Sequence, residues 1–335
     1  MERTVLEIGI AYDLRSDFEA AADGPEDALE EYDSAATVDA IAEALAANGY
    51  RPRKLGGGRA FLEAALKPNP PALVFNIAEG RGTRSREAHV PAALEMLGIP
   101  FTHSDPLTLA LTLDKAMAKR VAASYGVPTP RFAVVQPGEP VGDLGLAFPV
   151  IAKPLFEGSS VGVRNASKLH DLAALRTWVA KLLADYGEAV LVEEFCPGAE
   201  FTVGVLGTGA EAAAIGVMEI APRRARAEDF VYSLEVKRNY LEEVDYHVPP
   251  RRPESVVRAV EAVALAAHRA LGCRDVSRVD IRLDASGEPK FLEVNPLPGL
   301  NPVTGDIVIL SGKAGLAYAD LIGAIVERAR RRLRL

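Results

Sequence analysis

Three residues near the carboxyl-terminal end of the chain have the types and spacing of a metal site. Residues 277–284 alternate apolar and polar side chains, as a half-buried strand does, and residues 289–295 return as a second strand after a short turn. Because side chains repeat with period two along a strand, Asp280, Glu293 and Asn295 can share one face of this hairpin. Carboxylate and amide oxygens are ligands of Mg²⁺ when phosphate oxygens complete its coordination.

A cation stands beside these oxygens. Arg278 lies two positions before Asp280 and is expected to point to the same face. It would suit a site that gathers negative charge. A surface hairpin with ordinary solvated charges explains the segment equally well, so the segment alone leaves both interpretations open.

A short loop has the composition of a phosphate-binding loop. Residues 157–163 read Glu-Gly-Ser-Ser-Val-Gly-Val. Backbone N–H groups and serine hydroxyls in such a loop can close over phosphate oxygens, and Lys153 just before it would add a point charge. A plain hairpin tip is the commoner meaning of such a sequence, and the loop gains weight only in combination with other motifs.

A further segment has the pattern of a nucleotide-binding edge. Residues 189–196 form an apolar strand that turns polar, and residues 200–206 form another strand after a Pro-Gly turn. Such an edge can present backbone groups to an adenine while a carboxylate holds a ribose. A strand that ends in a turn is the simpler interpretation of this segment taken alone.

The elements expected to position these motifs alternate between strands and helices. Apolar runs at residues 5–12 and 72–77 predict buried strands, residues 37–48 and 86–97 have helical patterns, and a further strand is expected to start at residue 99. This order predicts a parallel, Rossmann-like sheet in the amino-terminal part of the chain.

Three other segments connect or cover the predicted elements. The glycines at 56–58 follow no clear strand and are interpreted as a loop. Residues 106–124 are predicted to form one helix that carries Asp114 and Lys115. Residues 221–250 form a charged, irregular segment too long for a routine connection, which favours a lid.

Composition limits the class of protein. A chain of 335 residues suits two or three domains, and 49% apolar with 25% charged residues is typical of a soluble globular protein. The net charge of −8 argues against a general nucleic-acid binder. With two cysteines, no basic-then-apolar leader and no long apolar run, the sequence predicts a cytoplasmic protein without a disulfide framework.

Eight short motifs occur in an order that is specific in combination. They are Leu113-Asp114-Lys115, Val150–Pro154, Glu157–Gly162, Val192–Phe195, Glu200–Val203, Gly272-Cys273, Arg278–Asp280 and Leu292–Asn295. In order and spacing they resemble the D-alanine–D-alanine ligase family of the ATP-grasp superfamily. The resemblance is close from about Leu94 to Gly299 and weaker before that.

The resemblance implies a role for each matching residue. Arg278 would stabilise a tetrahedral intermediate, helped by the backbone of Gly299. Ser159, in the loop that covers the phosphates, would be the third catalytic residue. Asp280, Glu293 and Asn295 would be the Mg²⁺ ligands. The positions that match nucleotide contacts are Lys115, Lys153 and Ser160 at the phosphates, Glu193, Glu194, Phe195 and Cys196 at the adenine, Glu200 at the ribose, Lys237 on the lid, and Leu292 beside the base.

The resemblance also implies a mechanism. The family transfers the γ-phosphate of ATP to a carboxylate, which gives an acylphosphate and ADP, and an amine then attacks the acylphosphate. Metal ions and lysines neutralise the charge of the two anions that meet, and the arginine faces the developing oxyanion. The lid excludes water, which would hydrolyse the intermediate.

The part of the sequence that matches the substrate site departs from the family pattern. Glu79 takes the place of a family histidine, and three arginines, at 81, 84 and 86, replace an acidic loop tip. These arginines would pair with an additional substrate carboxylate, or they form a solvated loop or a salt-bridged lid. The remaining substrate candidates are Glu30 for an ammonium group, Arg238 in place of a tyrosine after the lid lysine, and Thr304 for a carboxylate.

We therefore expect an α/β protein with the ATP-grasp fold. A Rossmann-like domain (1–104) would precede two α+β subdomains (105–190 and 191–335) that clamp ATP. The expected activity is ADP-forming ligation of a carboxylate and an amine, with amino acids as the expected substrates. The alternatives are an amide or peptide ligase of a specialised pathway that acts on a substrate other than D-alanine, and a nucleotide-binding homologue that has lost catalysis.

The resemblance also sets the expected cofactors and partners. The cofactors are ATP and one or two Mg²⁺ ions, with Mn²⁺ as a substitute. The partners are small amino-acid-like molecules and, by family habit, a second copy of the chain. Nucleic acid and membrane are not expected.

Overall fold

The computed structural model describes residues 5–19, 24–82 and 84–335, which form strands and helices around three sheets. The strands are β1 (Glu7–Tyr12), β2 (Arg51–Gly56), β3 (Leu73–Ile77), β4 (Phe132–Val135), β5 (Val150–Pro154), β6 (Lys168–Leu169), β7 (Val190–Glu194), β8 (Glu200–Leu206), β9 (Ala213–Pro222), β10 (Val244–His247), β11 (Val276–Leu283) and β12 (Pro289–Asn295). The helices are α1 (Ala35–Ala47), α2 (Gly58–Ala65), α3 (His89–Leu97), α4 (Pro106–Leu113), α5 (Lys115–Ser124), α6 (Leu172–Tyr186), α7 (Leu234–Arg238), α8 (Tyr240–Glu243), α9 (Glu254–Ala270), α10 (Asp306–Lys313) and α11 (Tyr318–Leu333).

The first sheet is parallel, with strand order β2-β1-β3, as the alternating pattern predicts. Helix α1 connects its first two strands and begins at Ser34, whose hydroxyl accepts the N–H of Thr37 at 3.2 Å. The strand expected to start at residue 99 is wrong. That segment makes a single parallel bridge, between Phe101 and Val74, and then leaves the sheet.

The interpretation of the three glycines as a plain loop is also wrong, because β2 ends at Gly56 and α2 begins at Gly58. The strand was hidden by its composition. It reads Arg-Pro-Arg-Lys-Leu-Gly and lies at the edge of the sheet, where Leu55 alone is fully buried and no alternating apolar pattern is required.

The predicted helix over 106–124 is two helices. Asp114 leaves the helical conformation at φ −80° and ψ 93°, and its carboxylate accepts the N–H of Met117 at 3.0 Å. The chain therefore ends α4 and begins α5 at this residue. Lys115 becomes the first residue of the new helix.

The other two sheets are antiparallel. The second has the order β4-β7-β5-β6 and packs against α6 through residues such as Val179 and Val192. The third has the order β10-β9-β8-β11-β12 and packs against α9 through Val260 and Phe201. Each fully buried aliphatic side chain at such contacts is worth about 1.5–3 kcal/mol.

The segment predicted to be an irregular lid is more ordered than expected. Residues 234–243 form the short helices α7 and α8, and β10 pairs with β9 at the edge of the third sheet. The polar composition of β10 fits an edge strand, as it does for β2. The lid is therefore anchored at its end by a strand.

The carboxyl-terminal helix returns to the first sheet. Ile322 and Ile325 of α11 pack with Ile8 of β1 and Ile41 of α1 in one buried cluster. The predicted division at residues 104 and 190 stays a prediction. The sheet order fits a second boundary after Glu194, because β7 belongs to the second sheet.

Across the described ranges, no single helix is long and apolar enough to cross a bilayer. The helices α10 and α11 meet the length and composition criterion only as a pair, which is bent by 107°.

Candidate active site

Three adjoining cavities lie where the sheets meet, with volumes of about 790, 670 and 1350 Å³. We call them the inner cavity, lined among others by Glu79 and Glu87, the loop cavity, lined by Lys153 and Glu200, and the lid cavity, lined by Arg238 and others. Some residues line two of them. The inner and loop cavities share Lys115, Gly158 and Glu293, and the loop and lid cavities share Tyr232 and Lys237. The inner and lid cavities share Glu31, Asp33, Ser159, Arg278 and Gly299.

The predicted face of the carboxyl-terminal hairpin is confirmed. In the antiparallel register of β11 and β12, Asp280 stands opposite Glu293 and Arg278 stands opposite Asn295. Thr202 on β8 donates its hydroxyl to Asp280 at 2.8 Å, and the Asn295 amide nitrogen lies 3.4 Å from the same carboxylate. Two carboxylates and an amide side chain thus meet on one surface, and the oxygen atoms of such groups suit a hard divalent cation.

Arg278 is held by carboxylates on several sides. Its side chain is buried, and its guanidinium lies 2.9 Å from Asp280, 3.6 Å from Asp306 and 3.9 Å from Glu293. Burial acts to lower the pKa of Arg278, but these carboxylates outweigh it and raise the pKa above its ordinary value. The side chain therefore stays charged and fixed where two cavities meet.

Lys153 is anchored from behind by a buried carboxylate. Glu193, which is 1% exposed, lies 3.0 Å from Lys153 and 2.6 Å from Lys119. Burial acts to raise the pKa of Glu193, and the two lysines outweigh it and lower the pKa below its ordinary value. Lys153 also lies 3.8 Å from Glu293, so it reaches from this anchor toward the hairpin face.

Glu293 is the carboxylate most surrounded by cations. Burial acts to raise its pKa, but Lys115, Lys153 and Arg278 lower it to about 2. Asp280 differs, because burial raises its pKa more than Arg278 lowers it. At neutral pH the hairpin face therefore presents one strongly ionised carboxylate beside one that is harder to ionise.

The glycine- and serine-rich loop has the backbone of a tight anion-binding turn. Ser159 and Ser160 adopt left-handed φ angles of 47° and 61°, which non-glycine residues rarely take. The N–H of Gly162 donates to Asp27 at 3.0 Å, and that of Gly158 donates to Glu31. Carboxylates of the amino-terminal part of the chain thus hold two N–H groups of the predicted phosphate loop.

The remaining nucleotide candidates divide into two groups. Glu200 lines the loop cavity, with Arg282 3.2 Å from its carboxylate, and Leu292 and Lys237 line the same cavity. Residues 193–196, predicted to contact adenine, are not among the residues that line it. The N–H of Glu194 donates to the backbone carbonyl of Arg131, and that of Phe195 donates to the carbonyl of Pro149. The side chain of Cys196 is buried. Their contact with a base stays a prediction.

Two of the predicted substrate residues bind each other. Arg238 on the lid lies 2.5 Å from Glu30, which also pairs with Arg15 at 2.8 Å. Burial acts to raise the pKa of Glu30, and the two arginines lower it below its ordinary value. This pair closes the lid over the amino-terminal part of the chain. Thr304 lies on the wall of the same lid cavity.

The arginine-rich loop does not face the cavities. Arg84 pairs with Asp114 at 3.3 Å, Arg86 pairs with Glu31 at 2.5 Å, and the exposed Arg81 lies over the ring of Phe18. None of the three arginines is among the residues that line the inner, loop or lid cavity. Of the interpretations that the sequence left open, the salt-bridged one fits Arg84 and Arg86.

Sequence reasoning missed several residues of this site. Asp306 holds Arg278, and the hydroxyl of Tyr232 on the lid donates to Asp306 at 3.1 Å and lies 2.6 Å from the hydroxyl of Tyr246. Glu87 lines the inner cavity together with Glu79. The sequence carries no local signal for these contacts, because each depends on the packing of segments far apart in the chain.

Comparisons with known proteins agree with the fold. The family described as "D-ala D-ala ligase C-terminus" matches residues 121–327. The D-alanine–D-alanine ligase of Bordetella petrii is 37% identical over 251 residues, covering 74% of this chain and 73% of that protein. An uncharacterized protein of Sinorhizobium fredii, y4sG, is 34% identical over 302 residues, 88% of each chain.

A solved structure shows the same fold over nearly the whole chain. It is the D-alanine–D-alanine ligase from Bacillus anthracis complexed with ATP, which superimposes with a TM-score of 0.75 at 19% identity and covers 98% of this chain and 99% of that one. With the family match and the relatives above one-third identity, this settles the assignment. The chain belongs to the D-alanine–D-alanine ligase family and is an ATP-dependent ligase with the ATP-grasp fold.

Proposed function

We propose that the protein joins the carboxyl group of one amino acid to the amino group of a second amino-acid-like molecule, while ATP is converted to ADP and phosphate. One observation carries this proposal. Ser159, Arg278 and Gly299, the residues predicted to be catalytic, lie between the inner and lid cavities, and the inner cavity also shares Lys115 and Glu293 with the loop cavity. Three reactants would therefore meet at one point.

The nucleotide would occupy the loop cavity. Lys115 and Lys153 bring positive charge to its phosphates. Because carboxylates hold the N–H groups of Gly158 and Gly162, the loop would offer the N–H groups of Ser159 and Ser160 and the hydroxyl of Ser159. Asp280, Glu293 and Asn295 fit Mg²⁺ as ligands, and a bound ion would neutralise the phosphates that a carboxylate must approach. The contact of residues 193–196 with the base is part of this proposal.

The reaction would then proceed in two steps. The carboxylate in the inner cavity attacks the γ-phosphorus of ATP, the bond to the β-phosphate oxygen breaks, and ADP leaves. The amine in the lid cavity attacks the acylphosphate, loses a proton and expels phosphate. Arg278 faces the oxygen that gains negative charge, and its three carboxylate partners fix its position before the substrates arrive.

The lid cavity would hold the second substrate. Thr304 offers a hydroxyl to the carboxylate of this substrate, while Lys237, which lines both the loop and lid cavities, is assigned to the nucleotide. Glu30 and Arg238 are already paired with each other, so we assign them to lid closure. Because the reaction uses ATP and both cysteines are buried and free, we also propose the cytoplasm as its compartment. A homodimer stays a prediction of the family resemblance.

The test is ADP release from Mg-ATP with D- and L-amino acids, singly and in pairs, together with mass spectrometry of the product. We expect ADP and the condensed product in equal amounts. Lys153→Met should lower the rate at least about 10-fold, and the exposed Lys313→Met is the matched control. ADP release that persists in Lys153→Met, or that yields no condensed product, would contradict the proposal.

A further inference from the structure

The inner cavity has an acidic wall on the side away from the hairpin. Four carboxylates from three separate segments line it, while its cations, Lys115 and Arg278, belong to the opposite side, where the nucleotide and the developing charge are expected. The four residues are Glu31, Asp33, Glu79 and Glu87. This wall faces the place where the first substrate must lie if its carboxylate is to reach the γ-phosphate.

The charge of this wall is only partly balanced by the protein. Glu31 pairs with the buried Arg86, which also lies 3.6 Å from Glu157. Among the ion pairs formed by the described residues, none includes Glu79 or Glu87. Arg86 and Lys115 act on these carboxylates from a distance, but among the described residues neither Glu79 nor Glu87 has a cation in direct ion-pair contact.

The pKa values of the carboxyl groups in this wall agree with the shortage of positive charge. Burial raises the pKa of Glu87 to about 7, although Arg86 acts to lower it. Burial, reinforced by Glu87 and Glu31, raises the pKa of Glu79 well above its ordinary value. Burial likewise raises the pKa of Asp33 to about 7. A cation placed in the cavity would favour the ionised carboxylates and displace their protons.

A substrate with a second carboxylate does not fit this wall. Arg81 and Arg84, which the sequence offered as receptors for such a group, are exposed and outside the cavity, and Arg86 is engaged by Glu31. A small apolar side chain would leave Glu79 and Glu87 desolvated and unpaired, which costs free energy. A cationic side chain would pair with them.

We propose that the substrate activated in the inner cavity is a diamino acid, in which a second ammonium group is bound by Glu79 and Glu87. The proposal rests on the proposed function, since it assumes that the carboxylate of this molecule is the one phosphorylated. Its α-ammonium group would lie against Glu31 and Asp33. D-Alanine, with one ammonium group and a methyl side chain, would then be a poor substrate.

The first test compares amino acids of similar length and different charge. ADP release is measured with ornithine, lysine and 2,3-diaminopropionate, and with norvaline, alanine and glutamate as controls, each as the D and the L isomer. We expect kcat/KM at least about 10-fold higher for one diamino acid than for any control. A neutral or acidic amino acid that is equally good overturns the inference and leaves the ligase activity standing. ADP release with none of the acids contradicts the proposed function itself.

The second test removes the charge of the wall. In Glu79→Gln and in Glu87→Gln, KM for the preferred diamino acid should rise at least about 10-fold, while KM for ATP and kcat change less than about 3-fold. The exposed Glu95→Gln on α3 is the matched control and should leave all three unchanged. An unchanged KM in both wall variants, or an equal rise in KM for norvaline, overturns the inference.

A third measurement does not depend on turnover. Calorimetry of the preferred diamino acid at pH 7, in buffers of different ionisation enthalpy, should show protons released on binding, and fewer protons released in Glu79→Gln. Binding without proton release in the unsubstituted protein would contradict the assigned role of the acidic wall.

Discussion

The hairpin side of the site and its acidic wall are both rich in carboxylates, but they differ in how their charges are paired. On the hairpin side each carboxylate has a cation nearby, as in Arg278 with Asp280 and Lys153 with Glu193. On the acidic wall, Glu79 and Glu87 have none among the described ion pairs. Paired charges hold a fixed arrangement before any ligand binds, whereas unpaired ones are completed by the ligand.

The largest effect is expected on the hairpin side, where Glu193 anchors Lys153. Glu193→Gln leaves the buried Lys119 without its ion-pair partner and Lys153 with only the more distant Glu293, so we expect a loss of about 3–5 kcal/mol in the free energy of unfolding. Denaturant unfolding measures it. The neighbouring Glu194→Gln, whose carboxylate pairs with the exposed Arg131, is the control and should cost about 1 kcal/mol or less. Equal losses in the two variants would show that Glu193 is no anchor.

The next largest effect concerns the fixed cation at the junction of the cavities. Arg278→Met should lower kcat by a factor of about 10²–10³, because the hydrogen-bond donor that faces the developing oxyanion is lost. Equilibrium binding of ATP should change much less. Arg258→Met on the exposed face of α9 serves as the control. A loss of ATP binding as large as the loss of kcat would assign Arg278 to the nucleotide and not to the transition state.

A smaller effect is expected at the partner of Arg278 on α10. Asp306→Asn keeps a group that can accept from Tyr232 but removes the charge 3.6 Å from the guanidinium. We expect kcat to fall about 10-fold with KM for ATP unchanged, which steady-state kinetics will show. Tyr232→Phe tests the lid side of the same contact. Unchanged kcat in both variants would mean that Asp306 does not position Arg278.

The smallest expected effect is at the acidic wall, in the pH dependence of stability that Glu79 causes. Because the pKa of Glu79 is raised in the folded protein, this residue keeps its proton where the unfolded chain has lost it, so its contribution to stability falls as pH rises above about 4.5. Glu79→Gln removes that loss. Without substrate, its melting temperature should exceed that of the unsubstituted protein by about 2–4 °C at pH 8 and match it at pH 4. An identical difference at both values would contradict an ionisable Glu79.

The sequence was most informative where function depends on local geometry. The face shared by Asp280, Glu293 and Asn295 follows from period-two repetition in a hairpin, and the structure confirms it. Asp114 was harder to interpret, because an aspartate inside an apolar helical pattern is compatible both with a continuous helix and with a break. Strand β2 escaped detection because an edge strand needs no apolar alternation.

The substrate side could not be predicted in the same way. Whether an arginine faces a cavity or a neighbouring carboxylate depends on segments far apart in sequence, such as Glu31 with Arg86 and Arg84 with Asp114. The loop that contains these arginines looks basic in sequence. The cavity beside this loop is nevertheless acidic, because the arginines of the loop contact Phe18, Asp114 and Glu31 and do not line the cavity.

The hydrogen bond between Glu31 and the N–H of Gly158 links two binding events. Glu31 lines the inner cavity, and Gly158 belongs to the loop expected to meet the nucleotide, so a ligand that moves Glu31 also changes the freedom of that loop. In thermodynamic terms, occupancy of the two cavities shares one coupling free energy. The factor by which the amino acid tightens or weakens nucleotide binding must equal the factor by which the nucleotide changes amino-acid binding.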